Sequence, residues 1–148
     1  MAAPNPSGHT QIDGPVEASD KEKTEANRKV GESFIVDVLQ GKNPGKLPEY
    51  FDGDAYIQHN TGIADGVSGL GAALEEMGKQ GIQMIYDATH MVLADGDMVL
   101  GVSEGSLGGA PTTYYDLFRI EGGKIAEHWD VMETLADPET WANENGKF

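Results

Sequence analysis

Cysteine is absent from this 148-residue chain, which excludes disulfides, thiolate nucleophiles and cysteine-ligated metals. Basic charge is scarce: 10 lysines and arginines stand against 25 acidic residues, a formal net charge of -15. A field of that sign repels phosphate backbones and anionic lipid, so neither nucleic acid nor membrane is expected as a partner. Long apolar runs are missing, as is the basic-then-apolar segment of a secretory signal, and a cytoplasmic protein is the expectation. The four histidines, His9, His59, His90 and His128, show no helical pair or other ligand spacing, and no metal site is expected.

Hydrophobic residues at 39% and charged residues at 24% fit one ordinary globular core, and the length is too short for two. Residues 1–18, rich in Pro, Gly, Asn and Ser, read as a flexible tail. The domain itself is expected over 19–135. Ser19-Asp20-Lys21-Glu22 has the form of a capping box, and Ala26, Val30, Phe34 and Val38 repeat every four residues, joined by Ile35 and Leu39. The spacing predicts an amphipathic helix that Gly41 ends. A turn follows, with Leu47, Tyr50 and Phe51 available to the core, and then a short strand over 55–59. On that strand Tyr56, Gln58 and Asn60 share one side, and Ile57 and His59 share the other. A glycine-bearing loop leads into a second helix with Leu70, Ala73, Leu74 and Met77 at helical spacing.

From residue 82 onward the pattern is of strands joined by hairpins. Asp95-Gly96 marks one turn and the segment 105–111 the next. Two helices followed by consecutive antiparallel connections give an α+β domain, a curved sheet wrapped around a helix-covered core. The final segment, 136–148, carries Trp141 and Phe148, which are expected to pack on the domain or a partner subunit.

The last hairpin, from Tyr114 to Val131, joins two strand-like runs by Gly122-Gly123 and carries ionisable groups that a plain strand does not need. A three-residue loop, Glu121-Gly122-Gly123, would set Asp116 opposite His128 and Asp130 opposite Tyr114. A two-residue loop would instead set Asp116 opposite Trp129 and turn His128 and Asp130 to the other face. The three-residue loop is preferred. It places Tyr114, Asp116, Phe118, His128, Asp130 and Met132 on one face, and Tyr115, Leu117, Ile125, Trp129 and Val131 on the other.

Two carboxyls gathered in an apolar cup cannot both ionise cheaply, so one holds its proton more firmly and can exchange it with a carbon acid. Asp130, Asp116 and His128 are the catalytic candidates on this argument. Gln58, His59, Tyr114 and Phe118 are candidates for contact with a substrate, with Tyr114 placed to donate to an enolate oxygen. The structural alternative pairs Asp116 with His128 or Arg119 and leaves Asp130 at a sheet edge, and spacing alone does not decide between the two.

The run from Asp116 to Asp130, with its FR…GKI.EHWD pattern, resembles the late hairpin of the SnoaL-like polyketide cyclases, within the nuclear transport factor two-like superfamily that also holds ketosteroid isomerase. Tyr56-Ile57-Gln58-His59-Asn60 resembles the early pocket strand of the same family, and element order matches over roughly 20–135. The resemblance implies a cone-like curved antiparallel sheet enclosing a pocket. It implies that Asp130 stands at the family's acid/base aspartate and Gln58 at its early polar position. The cyclases carry a histidine where this chain has Asp116 and a glutamine where it has Tyr114, while ketosteroid isomerases carry an aspartate on that strand as a protonated hydrogen-bond donor.

The function so implied is general acid/base catalysis without a cofactor on a hydrophobic carbonyl compound, as an aldol cyclase or an isomerase. The alternatives are a pocket protein that binds a small apolar ligand without catalysis, and a purely structural or dimerisation module. The apolar outer face of the hairpin, together with the family's habit, gives the expectation of a homodimer.

Overall fold

A computed structural model describes residues 17–148. The tail expected over 1–18 therefore lies almost wholly outside the described residues. A 3-10 turn, Lys21–Lys23, leads into helix α1, Thr24–Phe34, which continues through a wider π-type turn at Ile35–Leu39 and stops at Gly41, φ 71°. A 3-10 segment at Pro44–Tyr50 precedes strand β1, Ile57–Gln58, and helix α2, Gly66–Lys79. Four long strands follow: β2, Met84–Asp95; β3, Met98–Leu107; β4, Ala110–Glu121; and β5, Lys124–Thr134.

The sheet has the order β1-β5-β4-β3-β2 and does not close on itself. Strands β2 to β5 form an antiparallel meander, whereas β1 joins β5 in parallel, with Ile57 beside Glu127 and Gln58 beside His128. The α+β curved-sheet architecture is thus as the sequence implied, apart from that one parallel edge. Curvature has a local cause in β2, where Asp87 and His90 are extra residues opposite β3; such bulges bend the strand that carries them.

Three local readings are corrected. The Ser19 side chain does not cap α1; its hydroxyl and its backbone N–H both donate to the Asp97 carboxylate in the β2–β3 turn, at 3.0 and 2.9 Å. Strands β3 and β4 run through most of the segment expected to be a turn, and the turn itself is Gly108-Gly109. The last hairpin closes on two residues, Gly122 and Gly123, both at positive φ as the tightest hairpin loop requires. Ala126 is then an extra residue in β5, so that Glu121 pairs with Lys124 and Ile120 with Ile125, but Arg119 pairs with Glu127. The two-residue loop sets Ile125 opposite Ile120 in the core, fully buried, rather than on the outer face, and the bulge then returns His128 and Asp130 to the concave side.

Beyond the bulge the pairing differs by two residues from the preferred register. Two is the repeat of side-chain alternation, so the faces survive while the partners change. Asp116 sits opposite Asp130, Phe118 opposite His128 and Tyr114 opposite Met132.

The core fills the concave side. Phe34 of α1 meets Phe118 and Tyr50 edge-on at 5.4 Å and Phe51 at 5.8 Å, with Ile35, Tyr56, Val99, Ile120 and Ile125 around them. The carboxylate of Asp37 accepts hydrogen bonds from Asn43, Lys46 and Tyr50 and so ties the 3-10 segment to the end of α1. These bonds, Tyr50 foremost, hold its carboxyl below the usual range, while burial and then Asp37 push the Tyr50 phenol up to about 12.

Helix α1 lies close to β3 because Gly31 faces Val99: a Cβ at Gly31 would stand 2.6 Å from the Val99 Cγ1. Val99 is fully buried and, being β-branched, has little freedom to turn away. Gly31→Ala gains up to about 1 kcal/mol of helix propensity but incurs about 1–3 kcal/mol of overpacking. A net loss of about 1 kcal/mol is expected in urea denaturation, against the gain an exposed helix position would show.

At the C-terminal end, Asp137 caps a short 3-10 turn by accepting from the Glu139 N–H. Lys147 then pairs with Glu133 on β5 at 2.7 Å, and Phe148 stacks on His90 of β2 at 4.3 Å. Among the described residues no helix is long and apolar enough to cross a membrane.

Candidate functional site

Between the sheet and α2 lies an open cavity of about 140 Å³. Its walls are mostly apolar, with Phe34, Val38, Leu39 and Leu47 from one side and Ile63, Leu70 and Leu74 from the α2 side. The polar side chains gather on the sheet wall: Tyr56 and Gln58 from β1 and its approach, Tyr86 from β2, Asp116 from β4, and His128 and Asp130 from β5. The three neighbouring strands explain the gathering. Gln58 lies beside His128 across the parallel pair, and Asp130 lies opposite Asp116 across the antiparallel one.

Asp116 and His128 are both buried, at 3% and 8% exposure, and His128 Nε2 lies 2.8 Å from Asp116 Oδ1. The second oxygen of Asp116 accepts from the Tyr86 hydroxyl at 2.8 Å. The direction of the remaining bonds can be fixed from one end. The backbone N–H of Asn60 can only donate, and it points at Gln58 Oε1 at 3.0 Å. The Gln58 oxygen also faces His128 Nδ1 at 2.9 Å, so Nδ1 must carry the proton. One further proton is then shared between Nε2 and the Asp116 carboxyl. The two side chains form either an imidazolium–carboxylate pair or a neutral pair, and the net charge is zero in both.

Asp130 is placed differently. Its Oδ2 accepts from Asn60 Nδ2 at 2.8 Å, and among the described residues no other side chain hydrogen-bonds its carboxylate. It is half-buried and lines the cavity, so one oxygen is held and the other is free for a ligand. Burial, with the nearby Asp116 charge, holds the Tyr86 phenol well above its ordinary range, so Tyr86 stays a donor.

Of the residues singled out in the sequence, Asp116, His128, Asp130, Gln58 and Phe118 line this one cavity. His59 and Tyr114 do not. His59 is on the opposite side of β1, where its ring stacks on Trp129 at 4.7 Å and faces Glu127 at 3.2 Å. Tyr114 is fully buried, and its hydroxyl donates to the Ser106 carbonyl at 2.7 Å, so it is not available to an enolate oxygen. Its ring instead stacks on Tyr86 at 4.0 Å, and Tyr86 is the phenol that reaches the site. The sequence reading missed Tyr86 because it sits next to a bulge that alternation does not reveal. Asn60 and Tyr56 carried a usable signal, since they share the Gln58 side of β1.

One ligand atom each from Asp116, His128 and Asp130 lies within 4.8 Å of the others, a spacing that would admit a metal ion. The hydrogen bond between Asp116 and His128 already occupies the imidazole nitrogen that such an ion would use.

Residues 32–128, well over half of the chain, match the model of the SnoaL-like domain family. The chain belongs to that family. No curated protein matches it in sequence. Solved structures similar to this SnoaL-like chain include a nuclear transport factor two-like protein from Burkholderia xenovorans, 18% identical, with a TM-score of 0.55 over 75% of this chain and 92% of that one. A candidate ketosteroid isomerase from Kribbella flavida is 14% identical, with a TM-score of 0.62 over 84% of this chain and 94% of that one. An epoxide hydrolase of the LEH-like type from M. tuberculosis is 22% identical, with a TM-score of 0.54 over 75% and 85%. At these identities the likeness is one of fold, and the SnoaL-like domain here shares the fold of these proteins.

Proposed function

We propose that this SnoaL-like domain is a cofactor-independent enzyme that moves protons on a small hydrophobic carbonyl compound. The observation that supports it is the asymmetry of Asp130, one oxygen fixed by Asn60 and the other, among the described residues, without a side-chain partner in a mostly apolar cavity. A carboxylate so placed can act as a base towards a carbon next to a carbonyl. The C–H pair then becomes the C=C of an enolate, the charge moves to the carbonyl oxygen, and the proton resides on Asp130. Return of that proton to a different carbon completes an isomerisation. Attack of the enolate carbon on a second carbonyl, with the proton passing to the new alkoxide, completes an aldol closure. Asp116 and His128 serve as a net-neutral, hydrogen-bonded wall beside the reacting atoms, with Gln58 and Phe118 setting the position of the ring.

The test is exchange of α-protons for deuterium in D2O, followed by proton NMR on a panel of single-ring ketones such as cyclohexanone and 2-cyclohexenone. Exchange faster than with Asp130→Asn supports the reading. Ketones that bind without any exchange above that variant would favour the non-catalytic pocket protein, for which the apolar cavity is support enough. A homodimer is part of the proposal: Tyr115 and Val131, 40% and 67% exposed on the outer face of β4 and β5, suit contact with a second copy.

A further inference from the structure

Resting on the reading above, and narrowing it to a ligand class, is the state of one phenol. Tyr56 is 6% exposed, lines the cavity, and packs edge-on against Phe51 at 4.9 Å. Its hydroxyl oxygen lies 3.1 Å from Gln58 Nε2. The Asn60 N–H fixes the Gln58 oxygen on its own side, so the nitrogen of that amide must face Tyr56 and donate to it. The phenol oxygen is therefore an acceptor in the network, and its proton has no acceptor among the described residues. Burial, with the negative fields of Asp116 and Asp130, holds Tyr56 far above its ordinary titration range, which keeps that proton in place. The cavity thus contains one carboxylate oxygen ready to accept and one phenol hydrogen ready to donate.

Charge and size narrow what can meet both. Among the described residues no lysine or arginine lines the cavity, and beyond the Asp116–His128 pair, whose net charge is zero, its one charge is Asp130. An anionic ligand would enter against that charge with no cation to receive it, at a large desolvation cost. A volume of about 140 Å³ is close to that of an apolar protein cavity that admits one benzene ring. We propose that the site takes an uncharged, single-ring-sized carbonyl compound whose oxygen is held by the Tyr56 hydroxyl. Tyr56 is then the catalytic donor to the oxygen that becomes negative as Asp130 takes the proton.

The probe is 4-fluorophenol, a single ring whose oxygen stands in for an enol, titrated by fluorine NMR against the wild type and Tyr56→Phe. Benzoate and benzylamine are the anionic and cationic probes of similar size. Phenylalanine keeps the ring on Phe51, and unchanged circular dichroism would confirm that the variant folds. The expected result is saturable fluorophenol binding that weakens about tenfold or more in Tyr56→Phe, with benzoate and benzylamine both weaker than fluorophenol. Equal fluorophenol affinity in the two proteins overturns the donor assignment, as does no binding to the wild type. Tighter binding of either charged probe overturns the ligand class. The outcomes separate from those of the enzyme reading: Tyr56-dependent binding without α-proton exchange retains the ligand inference and loses the enzyme. Exchange that is indifferent to Tyr56→Phe does the reverse.

Discussion

Asp130→Asn is expected to lower α-proton exchange by about 10²- to 10⁴-fold, the range that a positioned general base contributes. The substitution is chosen because it removes basicity and little else. Asparagine has the shape of the aspartate, and its side-chain oxygen can still accept from Asn60 Nδ2 as the carboxylate does at 2.8 Å. The position is half-buried and carries no ion pair among the described residues, so the melting temperature should remain within a few degrees of the wild type. Ligand binding should persist, because the apolar walls and Tyr56 are untouched, and the loss should fall on kcat rather than KM. Single-turnover exchange with a saturating ketone measures this directly. A loss below about threefold with intact binding would remove Asp130 as the base, and His128 could not replace it, since both ring nitrogens are engaged by Gln58 and Asp116.

The same hairpin shows how far a sequence can be read and where it stops. Alternation is a parity rule, and it correctly put Asp116, Phe118, His128 and Asp130 on one face even though the loop length was misjudged. Parity does not reveal a bulge. Ala126 carries no mark that distinguishes it from a paired strand residue, yet with the two-residue loop that puts Ile125 in the core it sets Asp116 against Asp130 and keeps His128 on the same face. The apolar period of α1 was equally legible, while its start was not. Ser19 and Glu22 satisfy the cap pattern, but the Asp97 carboxylate, 78 residues away, takes the serine. Tyr86 and Tyr114 mark the same limit in the site. Either phenol could serve an acid, and only the stacking of the two across β2 to β4 decides that Tyr86 reaches Asp116 and Tyr114 turns to a carbonyl.

The second large effect concerns stability. His128→Phe is expected to destabilise the fold by about 3–5 kcal/mol, the usual consequence of leaving a buried carboxyl without the partner that shares its proton. Phenylalanine fills nearly the same space and should pack on Phe118, whose ring centre is 5.1 Å from that of His128, so little of the loss would come from a cavity. What remains is Asp116 at 3% exposure, with the Tyr86 hydroxyl as its one strong partner among the described residues. Adding Asp116→Asn should recover more than half of the loss, because a neutral amide still accepts from Tyr86 without a buried charge. Urea denaturation of the two single variants and the double variant gives the coupling directly. A single-variant loss under about 1 kcal/mol would mean that water reaches Asp116 when the imidazole is gone, and the pair would then be an open part of the cavity instead of its wall. With recovery in the double variant, Asp130 and Tyr56 would stand in a folded, neutral site. Exchange activity left in that protein would then measure what the base and the phenol do without the His128–Asp116 proton.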